Sequence, residues 1–180
     1  MDTTTVVPAD ALDELERAAA ADPRDAGPLD AAGILVDLHA RVERLFAAYD
    51  AAEGSNARRY RAVAAIGAAL ATHVALEDEL LYPALRDETA RHDGEIERQL
   101  QQDHVLDLLL VELGAMVPSD RGYDAKVRVL MQAFRQHARD AEALLLPELR
   151  RRLDADDRRR LGRRLLDRTR QLEQRPRPGW

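Results

Sequence analysis

Four of the five histidines in this chain, His39, His73, His104 and His137, form two pairs of nearly equal separation, 34 and 33 residues. His92 alone stands outside the series, in a turn where solvation accounts for it. Imidazole is the commonest side-chain metal ligand. One histidine taken singly is more often packed or solvated than bound to metal, so the ordered set carries the argument. Buried together, four imidazoles would lack acceptors, and a cation held by neutral rings turns that cost into binding energy. Carboxylates stand nearby to balance the charge. Glu77 lies four residues after His73, on the same helix face, while Glu142 lies five after His137, about 140° around a regular helix. Pro147 takes one N–H out of the helix and crowds the carbonyl of Ala143, and the local unwinding this predicts would swing Glu142 inward. Asp78, five after His73, is the matching position in the first half and a reserve ligand. With no cysteine in the chain, thiolate sites, disulfides and thiol nucleophiles are excluded, and any metal must take nitrogen and oxygen ligands.

The elements that position these groups are helices. The 180 residues suit one compact domain, Ala, Leu, Arg and Glu dominate, and aromatic residues are only 4%. After Asp30 as a cap, Ile34, Leu35, Leu38, Val42, Leu45 and Phe46 recur at helical spacing, which predicts helix A over about 30–52. Ser55 or Asn56 opens helix B, about 56–89, and Asp93 opens helix C, about 94–116, with Ile96, Leu100, Val105, Leu108, Val111 and Leu113 as its stripe. Helix D begins near Tyr123 and runs past Pro147 to about 153, and Asp154 caps a last, Arg-rich helix E. His73 followed by Pro83 and His137 followed by Pro147 repeat one design at the same ten-residue interval.

Short connections make successive helices antiparallel neighbours, so convergence is tested by depth at about 1.5 Å per residue. His39 and His73 fall roughly 20 and 25 Å from one end of the bundle, and His104 and His137 roughly 18 and 20 to 24 Å, which is one layer. Flanking residues place His39 on the stripe of Leu35, Val42 and Phe46, His104 on that of Leu100, Leu108 and Val111, and His137 on that of Leu130 and Phe134. The predicted fold is all-α, an antiparallel up-down four-helix bundle over residues 29–153. A short acidic lead-in helix within 1–28 precedes it, and a basic helix and tail, 154–180, follow.

In this pattern the chain resembles the haemerythrin, or HHE cation-binding, family: His39, then His73-Val-Ala-Leu-Glu77, then His104, then His137-Ala-Arg-Asp-Ala-Glu142. Glu79-Leu-Leu-Tyr-Pro83 and Ala143-Leu-Leu-Leu-Pro147 also resemble that family's proline-ended helices, and the likeness covers roughly 30–150. The resemblance implies two non-haem irons, bridged by oxygen and two carboxylates, that meet O₂, peroxide or nitric oxide. By that carry-over His39, His73, His104 and His137 are terminal ligands and Glu77 and Glu142 bridges. The oxygen-carrying members have a further histidine where this chain has Leu100, which leaves one iron short of a ligand unless Glu97 or water supplies it. That departure moves the expectation from reversible oxygen carriage toward sensing, repair or peroxide handling. An iron- or oxygen-sensing module read by a partner, and a mononuclear zinc bundle without redox chemistry, are the alternatives.

Phe46 and Phe134 read first as core and second as the wall of a small pocket, and Tyr82 reads first as a tyrosine packed at a helix end and second as a hydrogen-bond donor behind the metal ligands or a radical site. The chain's net charge of −6 hides an asymmetry, because residues 150–180 hold twelve arginines against five acids. With no aromatics among those arginines, nucleic acid is not the expected partner. Packing on the acidic bundle comes first, with self-association or a protein partner through this helix second. No stretch has the roughly 18 uncharged apolar residues of a membrane span, and the start lacks a signal-peptide pattern, so a cytoplasmic protein is expected.

Overall fold

Aspartate and serine side chains start the helices where the chain leaves a turn, as their capping chemistry requires. In the computed structural model, which describes residues 30–86 and 93–174, Asp30 accepts from the Ala32 amide and opens α1, Ala31–Ala51. Ser55 accepts from the Arg58 amide and opens α2, Asn56–Leu76. The turn between them contains Gly54 at φ 80°, a left-handed conformation that glycine adopts without the penalty a Cβ would bring. A π turn, Glu77–Leu81, joins α2 to the short α3, Tyr82–Leu85. Then come α4, Asp93–Gly114, and α5, Tyr123–Asp140, a second π turn, Ala141–Leu145, and α6, Leu146–Arg152. Asp154 caps α7, Ala155–Glu173, by accepting from the Asp157 amide at 2.8 Å. Every regular element among the described residues is helical.

Helix B, expected as one run, and helix D, expected to unwind near Glu142, are therefore interrupted at matching places, and proline is the reason. Pro83 and Pro147 each stand second in the helix that follows a π turn. Lacking an N–H and crowding the carbonyl four residues back, each opens the turn before it by one residue. The amide of Tyr82 then reaches back five residues to the Glu77 carbonyl, and that of Leu146 to Ala141.

Helix α1 packs on α2 and α4 on α5, while α7 lies across α1, α2 and the first π turn. Apolar side chains form two clusters. Leu35, Leu38, Leu76, Leu81, Leu85, Ile96, Leu145, Leu149, Leu161 and Leu165 make one, and Val42, Phe46, Ile66, Leu70, Leu106, Leu110, Val127, Leu130 and Phe134 the other. Along α1 and α2 the boundary between them falls at His39 and His73, and on α5 His137 lies where the second cluster ends, so the imidazoles form a polar layer across the core. The basic helix α7 buries Leu161, Leu165, Leu166 and Thr169. It is tied down by Arg158 to Asp30 at 2.8 Å and by both ends of the Arg168 guanidinium to Glu79 at 2.6 and 2.7 Å.

One expectation about a helix face fails. The buried residues of α4 are Ile96, Gln99, Asp103, Leu106, Leu110 and Leu113, which recur at alternating steps of three and four. The stripe expected to carry His104 faces outward, with Leu108 and Val111 51% and 71% exposed and His104 itself exposed. The two stripes lie one residue, about 100°, apart, so apolar periodicity alone did not choose between them. The lead-in helix, the end of helix B beyond residue 86, His92 and the tail after residue 174 lie outside the described residues. Among the described residues no helix is long and apolar enough to cross a membrane.

Candidate metal centre

His39, His73 and His137 are 4%, 0% and 0% exposed, and Glu77 is 1% exposed beside them. One ligand atom from each of these four residues lies within 4.8 Å of the others. Three contacts are tighter: His73 Nε2 to His137 Nε2 at 2.9 Å, His137 Nε2 to Glu77 Oε2 at 3.1 Å, and His73 Nε2 to Glu77 Oε2 at 3.2 Å. Ligands about 2.1 Å from a first-row ion and at right angles stand about 3.0 Å apart, so these separations match the edges of a coordination shell. Edge-on rings close the space. Phe134 lies 5.7 Å from His73 and 5.9 Å from His39, and Phe46 packs on Phe134 at 5.6 Å. Both phenylalanines are fully buried.

The electrostatics follow from that burial. Desolvation, with the charge of His73 next, pushes His39 down to about 4, so its ring is neutral near pH 7. Burial pushes Glu77 up, but the charges and hydrogen bonds of His73 and His137 together outweigh it and hold the carboxyl well below its usual range. Burial pushes His137 down, and Glu77, with Asp103 behind it, more than reverses this. The anion in the centre is thus Glu77, with imidazoles on either side.

His39 Nε2, His73 Nδ1, Glu77 Oε1, Gln99 Oε1, Asp103 Oδ1 and His137 Nδ1 are buried with no hydrogen-bond partner. Each such atom costs about 1–3 kcal/mol, and together they rival the roughly 5–15 kcal/mol that holds a domain folded. A cation bound at His39, His73, Glu77 and His137 offsets part of that cost, and the donor set of imidazole and carboxylate suits iron or zinc.

The expected residues do not all meet. His104 is outside the group, because the other face of α4 turns inward. Glu142, expected as a bridge, is not among the four convergent residues. Its side chain is 43% exposed, and Oε1 lies 2.7 Å from His39 Nδ1, behind the ring. The second π turn brings it there despite its five-residue offset from His137. Glu97 is exposed and pairs with Arg86 at 3.8 Å, the reserve Asp78 is exposed, and Leu100 packs against the first apolar cluster.

Asp103 and Gln99 were missed, and Tyr82, read from the sequence as a tyrosine packed at a helix end, belongs to the site. Asp103 is 3% exposed, with Oδ1 3.2 Å from His137 Nδ1, and the Tyr82 hydroxyl donates to Asp103 Oδ2 at 2.7 Å and to Glu77 Oε2 at 3.1 Å. Gln99 donates to the backbone carbonyl of His137 at 3.4 Å. A usable signal existed, since Gln99 and Asp103 continue the three-four rhythm of Ile96, Leu106, Leu110 and Leu113.

The family model of the Hemerythrin HHE cation binding domain matches residues 30–149 of the chain. No curated protein and no solved structure matches it significantly.

Proposed function

Because the chain belongs to the haemerythrin family of HHE cation-binding domains, we propose that it is a non-haem iron protein whose centre is held by His39, His73, Glu77 and His137. The single observation that carries this reading is the convergence of those four buried side chains, with ligand atoms within 4.8 Å of one another. Up-down antiparallel packing of helices A to D within 29–153, flanked by an N-terminal extension and the basic C-terminal helix, is the arrangement proposed to present them. Two irons so held would supply redox chemistry toward O₂, peroxide or nitric oxide.

The chain's own residues bind, orient and exclude water. His39, neutral near pH 7, offers a lone pair without first losing a proton, and Glu77 brings the negative charge that an ion requires. Glu142 accepts at His39 Nδ1, which favours Nε2 of that ring as the donor atom. Phe134 and Phe46 keep the interior side dry, so a small diatomic or peroxide ligand would enter past the half-exposed Glu142.

A second reading is favoured by a specific observation. The four donors converge on one point and α4 brings no imidazole to it, which suits a single ion, zinc included. Elemental analysis after anaerobic reconstitution with Fe(II), followed by absorption spectra on admitting air, separates the two. Two irons per chain and an oxo-bridge band that Glu77→Gln abolishes support the diiron reading. One ion per chain without that band supports the mononuclear reading, and no retained metal sinks both.

A further inference from the structure

Four contacts close a ring around one imidazole: Glu77 to His137 Nε2, His137 Nδ1 to Asp103, Asp103 to the Tyr82 hydroxyl, and Tyr82 back to Glu77. All four residues are 3% exposed or less. Helices α4 and α5 and both ends of the first π turn therefore meet at His137.

A neutral imidazole has one N–H and one lone pair, and the hydrogen bond made by one nitrogen decides which role the other plays. Nε2 of His137 faces His73 and Glu77, the direction of the proposed ion. Nδ1 faces only Asp103 Oδ1, at 3.2 Å and off line, and neither atom has another partner. At 3.2 Å the two atoms stand within donor–acceptor distance. The Tyr82 phenol has one proton and shares it between two carboxylates, which fixes Asp103 Oδ2 and leaves Oδ1 free for the ring.

We propose that Asp103, held in place by Tyr82, is a positioning residue that keeps the proton of His137 on Nδ1 and so presents Nε2 to the metal. The inference rests on the metal-binding reading above, but it concerns α4, whose histidine faces solvent. A carboxylate behind a histidine ligand raises its basicity and fixes its orientation, and removing such a partner lowers metal affinity by about 10–100-fold. Helix α4 thus contributes to the centre through the ring of another helix. The same arrangement recurs more exposed at His39, whose Nδ1 meets Glu142.

The test uses the full chain. Nitrogen-15 NMR of the histidine side chains reads the His137 tautomer in protein stripped of metal, and Fe(II) or Zn(II) competition with a chromophoric chelator reads affinity. Asp103→Leu should abolish the Nδ1–H preference and weaken binding about 10–100-fold with stoichiometry unchanged. Asp103→Asn, whose carbonyl oxygen still accepts from Nδ1, should restore the tautomer and part of the affinity. Tyr82→Phe should give a smaller loss in the same direction. The proposal is overturned if Asp103→Leu leaves tautomer and affinity unchanged, or if it removes one whole equivalent of metal, which would make Asp103 a ligand. Should the wild type retain no metal, the metal reading fails, and the tautomer in wild type and Asp103→Leu still decides this one.

Discussion

The two proline-ended halves of this chain share a backbone and differ in what they bury. Each has a histidine, a π turn beginning four residues later, and a proline second in the following helix. In the first half the acid is Glu77, fully buried between two imidazoles, and Tyr82 ties it to Asp103. In the second half the acid is Glu142, half in solvent behind His39, and Leu146 stands where Tyr82 stood, with no polar atom to offer. Proline placement fixes where a carboxylate can be aimed, and burial decides whether it is a fixed anion or an adjustable one.

Exchanging each acid for its amide gives the largest contrast. Glu77→Gln should cost roughly 3 kcal/mol of metal-free stability, because two buried imidazoles lose their anion, and should abolish metal retention. Glu142→Gln should cost under about 1 kcal/mol and leave the metal bound more weakly. Urea denaturation and elemental analysis read both, and equal effects from the two variants would erase the distinction.

The prolines sharpen the same point. Pro147→Ala restores an N–H that can reach the Ala143 carbonyl, and a regular helix there turns Glu142 away from His39. Metal affinity should fall on the order of tenfold. Pro83→Ala should do less, because a four-residue spacing keeps Glu77 on the face of His73 with or without the π turn. A chelator competition giving Pro83→Ala the larger loss would show that Tyr82, not the carboxylate spacing, is what the first π turn protects.

A smaller effect is expected where α7 is strapped to α1. Burial pushes Asp30 up, but the hydrogen bond from Arg158, the Ala32 amide and the charges of Arg158 and Arg150 together outweigh it and hold the carboxyl below its ordinary 3.8. A depressed carboxyl contributes stability above its unfolded pKa and loses it as pH falls through the folded value. Arg158→Ala should therefore lower the melting temperature at pH 7 by an amount worth about 1 kcal/mol or less, and the gap from wild type should narrow below pH 3.8 without closing, because Arg158 also donates to the Leu153 carbonyl at 2.7 Å. A gap that does not narrow in acid would assign the whole loss to the arginine's packing and its bonds to the Leu153 and Arg150 carbonyls instead.

His104→Ala should be the quietest change, within about 0.5 kcal/mol in stability and without effect on metal affinity, since the side chain faces solvent. Loss of metal in that variant would return α4 to the face that its outer stripe suggested.

Much of the site's framework was legible residue by residue. Asp30, Ser55 and Asp154 cap the helices they were expected to open, because an N-cap is a local bond between neighbours. Pro147 disturbs the helix beside Glu142 for an equally local reason, the missing N–H. Asp103 was not legible in the same way. Gln99 and Asp103 keep the three-four rhythm of the apolar residues of α4, but polar side chains read as a solvated face, and nothing near them in the chain says that Tyr82 and His137 wait inside.

By itself the sequence determined helix periodicity, the caps, the proline break beside Glu142, the absence of thiolate ligands, and the spacing that carries His39, His73, Glu77 and His137 to one depth. The periodicity, the caps and the break follow from bonds and sterics within a turn or two of chain. The tertiary structure alone decided which of two stripes of α4 turns inward, that His104 stays out, and that Glu142 stands behind a ring. Stripes only about 100° apart compete on nearly equal apolar content, and the choice falls to partners on other helices that can satisfy a buried carboxylate and amide.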